Sequence, residues 1–273
     1  MMSAEARRRL PRLVASVAIV LLTGACTTVG PDFEPPEAPV APDWYQEERN
    51  GLTSTGTELV AWWEIFNDPK LNRLVEEAHR VGLKVMSHAQ SEAGIQLALR
   101  NGVDTIEHAI YLDAETIDLL LEKDAVVVPT FAIVNVIVHF GRAAGLPEYA
   151  MKKAEESHKA HLESIRRAFE AGVKIALGTD FAGPVGVAHG NNAVELEILV
   201  NQVGMSPMQA IASGTRIAAE ALGLEDEIGT LSPGKKADLL MVAGDPSEDV
   251  TILKQKAAIE LVMKSGEIVV DRR

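Results

Sequence analysis

The chain has 273 residues and is 47% hydrophobic, enough to bury a real core in one large domain or two small ones. Its formal net charge of −13, from 39 acidic against 26 basic residues, excludes the positive footprint that nucleic acid or an anionic membrane surface would require. A single cysteine excludes an intrachain disulfide framework and a cysteine-based zinc cage.

That cysteine ends a recognisable leader. Arg7, Arg8, Arg9 and Arg12 precede an apolar or small-residue run from Leu13 to Ala25, too short for a membrane span of roughly 20 residues. Leu22, Thr23, Gly24 and Ala25 before Cys26 resemble a lipobox, so residues 1–26 are expected to be a lipoprotein-type signal peptide with Cys26 as the lipidated residue. Processing would place the chain in the cell envelope, lipid-anchored in the outer membrane or periplasm. Without it the chain would stay cytoplasmic.

Residues 27–70 read as a linker, because Pro31, Pro35, Pro36, Pro39 and Pro42 interrupt helix and strand alike. Cys26-Thr27-Thr28-Val29-Gly30-Pro31-Asp32-Phe33 and Trp62-Trp63-Glu64-Ile65-Phe66-Asn67-Asp68-Pro69 resemble the start of outer-membrane efflux lipoproteins. The long helical hairpins and membrane strands of that family do not follow. The leader alone therefore does not imply a channel.

After about Leu71 a unit recurs: an amphipathic helix, a glycine, and an apolar strand ending on a polar residue. The copies are Arg80 to His88, Arg100 to His108 and Glu170 to Asp180, with a fourth, lacking the glycine, from Asp124 to Thr130. Glycine just past a helix is the expected left-handed cap, and strands that alternate with helices pair in parallel, which predicts an α/β fold over residues 71–225. His88 and His108 lie six residues beyond Gly82 and Gly102, and Asp180 eight beyond Gly172. All three offsets are even, so a strand period of two puts these side chains on one face at the C-terminal ends, where (β/α) barrels build their sites.

Two further helices are expected over residues 190–203 and 207–222, the second capped by Ser206 and stopped by Gly223. Short strands around 237–242, 259–264 and 267–270, separated by Ser-Pro-Gly, Gly-Asp-Pro and Ser-Gly turns, predict a small β subdomain over 226–273.

Two imidazoles and a carboxylate suit zinc or a similar divalent ion, and an aspartate beside such a metal can take a proton from water. For any one of them taken alone a hydrogen-bonded core histidine or a helix cap is the commoner reading; three coincident offsets favour a site. Of the other histidines, His79, His158 and His161 read as solvated helix positions. His139 and His189, near strand ends, are candidates to touch substrate, and Thr130 shares the inward offset and would line the pocket.

Val85-Met86-Ser87-His88-Ala89, Thr105-Ile106-Glu107-His108-Ala109, Leu177-Gly178-Thr179-Asp180 and Gly229-Thr230-Leu231-Ser232-Pro233-Gly234-Lys235-Lys236-Ala237-Asp238-Leu239 together resemble the amidohydrolase superfamily, in the branch of imidazolonepropionase-like proteins and Xaa-Pro dipeptidases. The resemblance covers Glu77 to Arg273. It implies part of a (β/α)8 TIM-type barrel, equivalent to strands five to eight, with His88 and His108 binding one metal and Asp180 binding another and acting as general base. The implied reaction is attack of metal-activated water on an amide or peptide C–N bond, a dipeptide among the small-molecule substrates.

The family's first-strand His-x-His pair and its strand-four lysine have no counterpart, and residues 1–76 contain no histidine. A half-built barrel would leave strand edges open, so the chain is expected to be marginal alone or to pair with a second copy. Two other readings stay open: a catalytically impaired, truncated or fused relic, and an envelope-anchored, efflux-associated protein.

Overall fold

The computed structural model of the protein describes residues 69–181 and 189–273. The leader, Cys26 and nearly all of the linker lie outside the described residues. Helix α1 (Pro69–Arg80) leads into β1 (Met86–Ala89), then α2 (Glu92–Arg100), β2 (Thr105–His108), α3 (Ala114–Glu122), β3 (Val126–Val128), α4 (Phe131–Phe140), α5 (Glu148–Ala171) and β4 (Lys174–Ile175). The four strands form one parallel sheet in chain order. It is an open α/β sheet; no closed barrel forms among the described residues, as expected of part of a (β/α)8 fold.

Local chemistry accounts for the boundaries. Ser91 and Asp113 cap α2 and α3, their side chains accepting from the amides of Gly94 and Thr116. The three cap glycines of the recurrent unit are left-handed, with φ of 78° at Gly82, 86° at Gly102 and 95° at Gly172. The helix-facing side of the sheet, Ile106, Val127 and Ile175, packs on Ile95 and Leu99 of α2, Ile117 and Leu120 of α3, and Ile165 and Ala168 of α5 to form the core.

Beyond β4, the stretch expected as one helix over 190–203 is a short α6 (Val194–Ile198) that widens into a π-turn over Leu199–Val203. The next expected helix is divided into α7 (Pro207–Ser213) and α8 (Arg216–Leu222) at Gly214 and Thr215. Ser206 does cap α7, in a full capping box with Gln209. The C-terminal sheet is antiparallel, β5 (Leu239–Val242), β6 (Ile259–Lys264) and β7 (Glu267–Asp271) in order. Ser265 and Gly266 make its last hairpin with φ of 52° and 85°, a two-residue turn whose hand matches strand twist.

One core position and a half-buried neighbour differ from a reading by residue type. His161 is not on a solvated face: it is 1% exposed, its ring 4.2 Å from that of Phe131, and neither ring nitrogen has a hydrogen-bond partner. His158 packs edge-on to the same Phe131, with its Nδ1 also buried and without a partner. The charged residues that made this helix look solvated occupy its other faces. Burial holds the His161 ring neutral, with its pKa pushed down to about 3.

Gly178 is fixed by close approach. A β-carbon there would stand 2.4 Å from Val128 Cγ1, so the chain leaving β4 can lie against β3 only with no side chain at this position.

Between pH 3 and 6.5 the unfolded chain binds a proton that folded His161 refuses, so the His161 contribution is intact above pH 6.5 and declines as pH falls toward 3. It should cost about 2 kcal/mol of folding stability between pH 7.5 and pH 5. Urea titrations at the two pH values should show that difference shrinking by this amount in His161→Leu; an unchanged difference would refute the assignment. Gly178→Ala should destabilise by about 1–3 kcal/mol and be partly relieved by Val128→Ala in the same background.

Candidate functional site

The recurrent strands place their polar ends together. His88 near the end of β1 and His108 at the end of β2 converge, His88 Nδ1 and His108 Nε2 standing 2.8 Å apart with ring centroids separated by 4.9 Å. Equal parity along the two strands is not what joins them. The observed register pairs His88 with Glu107, and Ala89 with His108, so pleating alone would point the two histidines to opposite faces. The first paired residue of β1, Met86, lies four positions beyond Gly82, but its partner in β2, Thr105, lies three beyond Gly102. The parity of the glycine count is therefore lost.

What brings His108 across is its backbone. It has φ of 74°, and Ala109 follows at 52°, so the strand ends in a left-handed turn that swings the imidazole toward His88. Thr130, beyond the end of β3, has φ of 57°, and Asp180, beyond β4, has φ of 53°. Each such non-glycine residue stores roughly 1–3 kcal/mol of strain, a cost that persists only where surrounding structure enforces it.

Thr130 is buried, and its Oγ1 lies 2.8 Å from His108 Nδ1, so its hydroxyl is directed at the histidine ring instead of lining open space. Asp180 is exposed at the same end, and its charge raises the pKa of His108. Partial burial outweighs it: the half-buried ring, with repulsion from His88 added, has its pKa lowered, which keeps His108 neutral and its lone pair available near pH 7. Asn192 donates to Thr179 Oγ1 at 2.8 Å and steadies the turn that carries Asp180.

Two candidates stand apart from this cluster. His139 lies in the last turn of α4, exposed, with Nδ1 donating to the carbonyl of Asn135, about 12 Å along the helix from its start at the strand ends. His189 is exposed in a turn. Neither has a described contact with His88, His108 or Asp180.

Two carboxylates escaped the sequence reading. Glu107 shares the strand face of His88, is buried, and accepts from Thr105 Oγ1 at 2.7 Å; burial raises its pKa, opposed by that bond and by His88. Its position just before His108 was the available signal. Glu195 in the first turn of α6 is fully buried and takes the amides of Phe131 and Ala132, on Oε1 at 2.8 Å and Oε2 at 2.7 Å. Burial pushes its pKa up to about 8 against the pull of those two bonds. Nothing local in the sequence marks it, because its partners lie more than sixty residues away.

A cavity of about 590 Å³ lies at the opposite, N-terminal end of the sheet. Most of its charged side chains are paired with one another, Lys84 and His79 with Asp104, and Lys174 with Asp124 and Glu220. The chemistry is therefore assigned to the histidine end.

A divalent ion would need both histidine lone pairs. Tetrahedral ligands at about 2.0–2.1 Å stand about 3.3 Å apart, so the observed 2.8 Å spacing needs to open by only a few tenths of an ångström. The pair fits. Among the described residues, however, no three His, Cys, Asp or Glu side chains come together as a complete ligand set.

Comparison with known proteins agrees with this architecture. The chain is 32% identical over 204 residues to ochratoxinase of Aspergillus niger, covering 74% of this chain and 41% of that protein. It is 25% identical over 214 residues to imidazolonepropionase of Symbiobacterium thermophilum, covering 76% and 44%. The crystal structure of a Xaa-Pro dipeptidase with methionine bound in its active site superposes with a TM-score of 0.65 at 34% identity, covering 74% of this chain and 48% of that one. The chain thus spans about half the length of the relatives it matches. With the amidohydrolase family model matching residues 47–269, this chain belongs to the amidohydrolase family.

Proposed function

We propose that the chain is a metal-dependent hydrolase of amide or peptide C–N bonds, with dipeptides of the Xaa-Pro type as substrates. The observation that carries this reading is the pair of imidazoles hydrogen-bonded to one another at the strand ends, one of them kept neutral by burial. His88 and His108 would hold the ion, zinc being first choice for a nitrogen-rich donor set. When bound, such an ion polarises a carbonyl and lowers the pKa of water.

The remaining chemistry falls to side chains of this protein. Thr130 fixes the His108 ring, so one nitrogen faces the site and the other is occupied. Asp180 is the general base: its carboxylate takes a proton from the attacking water and returns it to the amine nitrogen as the C–N bond breaks. Support comes from the similarity to a Xaa-Pro dipeptidase over its matched part. The impaired-relic reading draws on a different observation, the incomplete ligand set among the described residues.

Elemental analysis of the full purified chain should find about one divalent ion per chain, and the same sample should hydrolyse methionyl-proline. His88→Ala should lower zinc affinity at least about tenfold, and Asp180→Asn should cut turnover about 10²–10⁴-fold with metal retained. Sedimentation of that sample tells whether turnover belongs to a monomer or to paired copies. Metal without turnover would support the impaired reading, and neither metal nor turnover would refute the hydrolase.

Envelope anchoring through Cys26 belongs to the same proposal. Cells fed labelled palmitate should incorporate it into the wild-type chain but not into Cys26→Ser; equal labelling of the two would remove Cys26 as the anchor.

A further inference from the structure

We infer that Glu195 is a positioning residue for the histidine pair, acting through the Thr130 backbone and hydroxyl to set which nitrogen of His108 is offered to the site. The inference rests on the metal reading of that pair, though one of its tests does not.

The contacts are continuous. The Glu195 carboxylate takes the amides of Phe131 and Ala132, the first two residues of α4, at 2.8 and 2.7 Å. Those amides are two of the donors that a helix start leaves unsatisfied, and here no side chain of the preceding turn supplies the bond: Thr130 occupies the cap position without a capping hydrogen bond. Its hydroxyl is committed elsewhere, 2.8 Å from His108 Nδ1. His108 Nε2 in turn faces His88 Nδ1 at 2.8 Å.

The backbone explains why an acid from a distant helix is used. A β-branched residue with φ of 57° is a true outlier, held only by what surrounds it. If Thr130 relaxed to an extended or right-handed conformation it could cap α4 with its own hydroxyl, as threonine ordinarily does, and would abandon His108. By satisfying the amides from outside, Glu195 removes the reason for that relaxation. A hydroxyl held against Nδ1 is able to accept from Nδ1–H, and in that role it leaves the Nε2 lone pair toward His88, where a ligand nitrogen has to be.

Glutamine at 195 keeps the shape but replaces one acceptor by a donor facing an N–H. Valine at 130 keeps the branch and removes only the hydroxyl; serine at 130 restores it. In the metal-free full chain, long-range 15N–1H spectra of the imidazole rings should show His108 protonated on Nδ1. Glu195→Gln and Thr130→Val should each shift it toward the other tautomer, and Thr130→Ser should not.

Zinc titrations against a chromophoric chelator should show losses of about 10–100-fold for each of the first two variants. Because both break one path, Glu195→Gln/Thr130→Val should lose no more than the worse single variant. An unchanged tautomer in folded variants, or losses that multiply, would overturn the inference. If Glu195→Gln does not fold, the Thr130→Val and Thr130→Ser spectra decide. Failure of the wild-type chain to bind zinc would refute the metal reading, leaving the tautomer result to judge the positioning role by itself.

Discussion

His108, Thr130 and Asp180 carry positive φ just where parallel strands give way to helix or loop, and the candidate site exists because these three backbones turn the same unfavourable way. In an ordinary pleat His108 would point to the face opposite His88, with Glu107 beside His88 in its place. The left-handed turn adds His108 at the strand end, while Glu107 keeps its register beside His88. It leaves a buried carboxylate on the strand face and brings an imidazole to the strand end, so that one residue-level distortion decides whether the site is acidic or nitrogen-rich.

The rest of the core serves to hold that distortion. Phe131 follows Thr130 directly and is wholly buried, clasped by the rings of His158 and His161. Glu195 satisfies the amides that a turned-away Thr130 leaves without a cap. Gly178 lets the chain from β4 press on Val128, two residues before Thr130. Hydrophobic burial, a buried acid and a missing side chain thus act on one short segment from three sides. A buried imidazole with neither nitrogen partnered, His161, beside a half-buried one whose Nδ1 has no partner, His158, is costly in such a core, and both are tolerated where aromatic packing replaces solvation.

How much of this was legible depended on the range of the forces involved. Local signals succeeded: the left-handed cap glycines, the Ser206 capping box and the Ser265-Gly266 hairpin each depend on residues within a few positions of one another, and sequence spacing specifies them. Parity along a strand was less secure, because one extra residue between Gly82 and the ladder reverses every later face. His161 looked solvated because Lys152, Lys153, Glu155, Glu156, Arg166 and Arg167 dominate the composition of its helix, while only the helical period and the neighbour Phe131 decide which face turns inward. Glu195 could not be found at all from spacing, since its function is to satisfy amides sixty-three and sixty-four residues away.

The same difference in range bears on what a family resemblance can carry. The four motifs specify strand ends, and strand ends place ligands; the family model and the half-length matches concern that level. Whether a ligand is competent is settled a layer deeper, by tautomer, charge state and backbone strain, which in this chain are set by Thr130, Glu195 and the burial of His108. An imidazole in the right place but protonated on the wrong nitrogen offers no lone pair, so the histidine motifs are necessary for a metal site without being sufficient. A chain in this family that kept the histidines and lost the supports would retain the motif and forfeit the chemistry, and here the supports are present around His108.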